Sequence, residues 1–148
     1  MSAALKAGAA YFGIVFALGF VLGAVRVLIL APSIGPTAAL VLELPIVLSA
    51  SWIACGLLLD VFVADKWHQA TVMGAFAFTL LIAAELCLST FVFGLSAAEQ
   101  LQSYRSGAGL LGLAGQIAFG TFPLLQQARR SNWTASGGDA RQNDGRLT

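Results

Sequence analysis

The sequence predicts an all-α membrane protein with four transmembrane helices in an antiparallel bundle, and three observations carry that prediction. Of its 148 residues 58% are hydrophobic and only 10% are charged. Mean hydropathy is +0.83, outside the soluble globular range. Four apolar runs are each long enough to cross a hydrocarbon core about 30 Å thick, which takes roughly 20 helical residues. The formal net charge of +1 comes from few, scattered basic residues. None is interleaved with aromatics in the way that grips nucleic acid. No nucleic-acid partner is expected, and the lipid bilayer is the first partner.

The first helix is expected over residues 7–31, stopped by Pro32, which has no N–H to continue the ladder. Lys6 ahead of a long apolar run could be taken for a secretory leader. The run is longer than the roughly 7–15 residues of a leader core, however, and no convincing small-x-small cleavage site precedes Arg26. A retained span is expected. The second helix, residues 37–63, follows Pro36, a residue suited to a first helical turn. The third covers residues 70–94. The fourth, residues 107–125, is shorter and rich in glycine. "PSIGP", "ADKWH" and "SAAEQLQSYRS" connect them. The four-helix membrane domain is therefore residues 1–128, and residues 129–148 form a polar tail with too little apolar content to order itself.

Basic residues set the orientation. Lys6, Lys66, Arg129, Arg130 and the tail arginines fall on one side of the four spans, and Arg105 alone falls on the other. Both termini, and the tail, are expected in the cytoplasm. Asp60 and Asp65 would lie at the cytoplasmic rim, in water. Trp67 and Tyr104 suit membrane–water boundaries, whereas Trp52 is deep enough to pack.

Arg26, Glu43 and Glu85 fall inside the spans, where an ionisable residue costs about 2.5 kcal/mol or more and so faces protein or water. Arg26 and Glu43 stand equally far from a turn centred between Ile34 and Gly35. A hairpin there brings them to one depth and makes an ion pair natural. Glu85 lies near the middle of the third span and could join the cluster, and two carboxylates facing one arginine would push one toward protonation. At about 100° per residue, Gly8, Gly19 and Gly23 share the direction of Arg26, so a close-packing stripe is expected there. Gly19 and Gly23, with Gly112 and Gly115 on the fourth helix, are the predicted packing residues.

Cys55 and Cys87 form no C-x-x-C pair and are expected as small core residues. His68 has no second histidine to complete a zinc or haem site. No metal or cofactor is expected, and with no nucleophile–base pair in reach, no enzyme.

"YFGIVFALGFVLGAVRVLILAPSIG", then "LELPIVLSASW", "MGAFAFTLLIAAEL" and "LAGQIAFGTFPLL", resemble a family of small, uncharacterised four-helix integral membrane proteins of bacteria. The resemblance covers most of the chain except its tail and rests on Arg26, on Glu43 to Pro45, and on Ala84 and Glu85. It implies a bacterial inner-membrane location and brings no activity with it. Small dual-topology fluoride channels are a poorer fit. Arg26 follows Gly23 and Ala24 one residue too early for their first-helix segment, and Glu43 occupies the region of their pore asparagine. Two readings follow. The chain is a structural or accessory bundle protein, alone, as a homo-oligomer or in a larger membrane complex. Alternatively, it is a small oligomeric proton- or cation-coupled transporter or channel that uses Glu85.

Overall fold

The computed structural model describes residues 3–62, 67–91, 94 and 96–144, and the backbone alone at 97, 100, 103 and 132–144. Asp65 and Lys66 lie outside the described residues. Among those described, every regular element is a helix.

Helix α1, Ala3–Val25, runs directly into a π-helical turn, Arg26–Leu30, and then into α2, Ala31–Ile34. The Ala31 N–H donates to the carbonyl of Arg26, five residues back, the signature of the wider turn. The expected stop at Pro32 is corrected: the first span reaches Ile34. Pro32 sits in the first turn of α2, directly after the π-turn. Gly35 then reverses the chain alone, at φ +87°. Its N–H donates to Ala31 at 3.0 Å and its carbonyl accepts from Ala39 N–H at 3.1 Å. A side chain would strain that backbone.

Helix α3 is Pro36–Phe62 and stays helical through Pro45. Helix α4 is Trp67–Phe91. The connection after it, expected as loop, contains α5, Ala97–Ser103. Its start is set by a reciprocal cap: Ser96 N–H donates to the Glu99 carboxylate at 2.8 Å, and Glu99 N–H donates to Ser96 Oγ at 3.3 Å. The pattern S-x-x-E was readable in "SAAE".

The Ser96 backbone N–H, and then its hydroxyl, hold the Glu99 carboxyl below the usual carboxylate range. A carboxyl lowered in the folded state stabilises it above the unfolded pKa, and the gain is lost as pH falls through the folded value. Acidification through the carboxylate range should therefore fray α5 while leaving the long helices intact. Amide exchange at Glu99, faster in acid than the intrinsic rate change explains, is the measurement. Unchanged protection would remove the cap from the helix's stability.

Helix α6 is Gly107–Asp144. The expected end at residue 125 is corrected: the backbone is helical to Asp144. The added stretch contains no proline, and a helix already nucleated extends at little cost per residue.

Four helices carry the packing. Helix α1 lies against α3 and α4, and α6 lies against the same two. The buried positions of α1 are Ala4, Ala7, Gly8, Tyr11 and Val15, at helical spacing on one face. Buried faces are mostly small residues, whereas Leu28, Val61 and Phe91 are 73–85% exposed. Large apolar side chains outside and small ones inside suit a bundle whose surroundings are themselves apolar. Cys87 belongs to the outer set and is corrected from core to exposed; Cys55 is buried.

One end of the bundle is dense. Tyr11 stacks on Phe119 with ring centroids 4.4 Å apart, and its hydroxyl donates to the Phe119 carbonyl at 3.1 Å. Cys55, Leu59, Met73 and Ala77 complete this core. A Cβ on Gly74 would overlap the Gly120 carbonyl oxygen, and one on Gly8 would lie 2.9 Å from the Met73 carbonyl oxygen. Here the missing side chains let backbones touch. At the same end Gln126 Nε2 donates to the Trp52 carbonyl at 2.6 Å, and Arg130 donates to the Gly56 carbonyl at 3.2 Å. Arg130 also pairs with Asp60 at 2.6 Å. Asp60, expected in water, is indeed 62% exposed at its side chain yet paired.

Candidate functional site

The other half of the bundle holds Arg26, Glu43 and Glu85. On α1 the last α-turn ends at Val25, so Arg26 opens the π-turn. Glu43 stands two turns into α3, on the far side of Gly35. Arg26 Nε lies 2.5 Å from Glu43 Oε2. Their side chains are 28% and 11% exposed, so the pair is largely withdrawn from its surroundings. The two atoms meet off the axis of a straight hydrogen bond. Charge therefore contributes more to this contact than directional bonding.

Glu85 projects from α4 and meets Gln116 of α6: the Gln116 amide N–H donates to Glu85 Oε2. Gln116 was visible in the sequence as the most polar residue of the expected fourth span, residues 107–125, but nothing there indicated that it would face Glu85. Helices α4 and α6 are not joined by a tight turn, so depth along one cannot be counted onto the other. The second amide atom, Gln116 Oε1, is buried and has no hydrogen-bond partner among the described residues.

Between α1, α3, α4 and α6 lies a cleft of about 590 Å³. Arg26, Glu85 and Gln116 line it; Glu43 stands behind Arg26 and Gly23. The remaining wall is overwhelmingly apolar, with Val15, Val47, Leu81 and Phe119 at the end toward the dense core. Ser51 also borders it, with its hydroxyl already donated to the Val47 carbonyl at 2.7 Å. Phe20, Val27 and Leu28 line the cleft and are also exposed. The opening is therefore beside the first span.

The predicted packing glycines need correction. Gly19, Gly23, Gly112 and Gly115 all border the cleft. A Cβ on Gly19 or Gly112 would meet nothing within 4 Å, and one on Gly23 would meet only Glu43 Oε1, at 3.9 Å. Gly115 alone makes a tight approach, to the mobile end of Leu44 at 2.8 Å. Gly19, Gly23 and Gly112 leave space, while Gly115, like Gly8, Gly74 and Gly120, approaches its neighbour closely. Lacking a side chain is the same sequence signal for both roles.

His68 is exposed at the start of α4. Among the described residues, no three His, Cys, Asp or Glu side chains gather as metal ligands would.

Fold and site together define a class: a helical protein with four helices long and apolar enough to cross a membrane, and a polar cluster at an internal cleft. Compared with protein-family models, curated proteins and solved structures, the chain finds no match.

Proposed function

We propose that the chain is a four-span antiparallel bundle of the bacterial inner membrane, with both termini cytoplasmic. In this reading it acts as a non-enzymatic structural or accessory protein, alone, as a homo-oligomer or in a larger membrane complex. The observation that carries the reading is the Arg26–Glu43 contact at 2.5 Å, an internal lock between the first two spans. Four apolar helices support insertion. The excess of lysine and arginine at one end supports the orientation, and the resemblance to small bacterial four-helix proteins supports the location. A carboxylate in lipid without its partner would carry a heavy desolvation cost, so the pair is what lets both charges stay.

One observation favours the second reading, a proton- or cation-coupled transporter: the cleft reaches Glu85. Proteoliposomes holding the purified protein decide between them. The accessory reading expects proton and monovalent-cation leak at the level of empty vesicles. A flux above that level which Glu85→Gln abolishes would replace it with transport through Glu85.

A further inference from the structure

The cleft joins an apolar length to one charged level. Along α1 it extends from Val15 to Leu28, about 20 Å at helical rise. Its volume of about 590 Å³ falls within the roughly 300–1,000 Å³ of small-molecule sites. Leu44, next to Glu43, would come within 2.8 Å of a Cβ on Gly115, next to Gln116. The Arg26–Glu43 pair and the Glu85–Gln116 pair therefore lie at the same depth. Among the described residues that line the cleft, Arg26 is the single base. Ionised, Arg26, Glu43 and Glu85 sum to one negative charge, whichever carboxylate the guanidinium serves. Inside a wall this apolar, where charges are weakly screened, that sum favours a positive occupant and disfavours an anion.

The acceptors on offer restrict which cation fits. Gln116 Oε1 and Glu43 Oε2 are buried, and so is Ser51. Glu85, half-buried on the cleft wall, is the carboxylate that an occupant meets. A hard metal ion takes about six or more oxygens, and a primary ammonium needs an acceptor for each N–H. The cleft has too few for either. A quaternary ammonium has no N–H to satisfy and spreads its charge over alkyl groups. Phe16, Phe20 and Phe119 line the same space, and ring faces attract such a cation. The opening past Phe20, Val27 and Leu28 lies beside the first span, so the occupant enters from the apolar phase.

We propose that the cleft binds a quaternary ammonium amphiphile, with its head against Glu85 and its hydrocarbon tail among Val15, Val47, Leu81 and Phe119. This inference rests on the membrane insertion and on the second reading above, which it deepens by naming the cation. It concerns binding and does not require flux.

The test uses the full chain in micelles of an uncharged maltoside detergent and three photoreactive probes with the same mid-chain diazirine. They are a long-chain trimethylammonium, its uncharged isostere with a quaternary carbon in place of nitrogen, and the matching sulfonate. Adducts in the cleft are counted relative to adducts on the outward faces of the same helices, which removes differences in partitioning. That ratio should be about fivefold higher for the trimethylammonium than for the isostere, and no higher for the sulfonate than for the isostere. Glu85→Gln should bring the trimethylammonium down to the isostere's ratio and leave the isostere's own ratio unchanged, whereas Glu85→Asp should keep most of the difference. Gly112→Leu, and independently Gly19→Leu, should remove cleft labelling by the trimethylammonium, since a side chain at either position enters open space. Equal ratios for cation and isostere would mean a hydrocarbon groove whose extra charge is held by a proton, and would overturn the proposal. Cation enrichment that is indifferent to Glu85→Gln, or that survives both filling variants, would overturn it as well. A Glu85-dependent proton flux without cation enrichment would remove this ligand and leave transport standing; enrichment without flux would establish the ligand and not transport.

Discussion

Arg26→Gln and Glu43→Gln should each destabilise the detergent-solubilised protein by about 3 kcal/mol, the lower end of what breaking a buried ion pair from one side costs. For a chain of this size that is a fall in Tm of roughly 6–12 °C. The loss reflects a stranded charge more than a missing attraction, because the side chains involved are only 28% and 11% exposed. Restoring opposite charges should therefore recover part of it. The charge-swapped double variant, Arg26→Glu with Glu43→Arg, is expected to melt above either single variant. A swapped protein whose loss equals the sum of the two singles would show that the residues act separately.

Gly74→Ala and Gly112→Ala should move stability in opposite directions, though both replace a helical glycine. At Gly74 the new Cβ would overlap the backbone carbonyl of Gly120, and a backbone cannot swing aside as a side chain can. Helices α4 and α6 would have to part, at a cost of about 1–3 kcal/mol or more. At Gly112 the Cβ meets nothing within 4 Å, and alanine suits a helix interior better than glycine by roughly 0.5–1 kcal/mol. Thermal unfolding of the two variants side by side measures both. Equal losses would mean that the Gly112 side of the cleft is closed in solution.

Counting along the chain reached as far as consecutive helices allow. Arg26 and Glu43 flank a one-residue reversal at Gly35, so equal residue counts from the turn mean equal depth. The same counting does not reach from Glu85 to Gln116, since neighbours in space across α4 and α6 depend on how each helix is rotated. Apolar sequences leave that rotation weakly marked: large hydrophobic side chains occupy outward faces here more often than inward ones. The π-turn had no signal beyond Pro32, which also serves as an ordinary helix stop. Residues 129–144 were read as tail from their polarity, but polarity opposes burial rather than helix. The cap at Ser96 and Glu99, by contrast, was written plainly and overlooked because it fell between spans.

The unequal ends of the bundle have a mechanical consequence. Gly8, Gly74, Tyr11 and the Arg130–Asp60 pair clamp one end, while the other is hollow around the cleft. The shape is that of a tuning fork, gripped at its base with free prongs. Lateral pressure in a bilayer would do its work mainly on the prongs, narrowing or spreading the space beside Glu85 and Gln116 while the base holds its spacing.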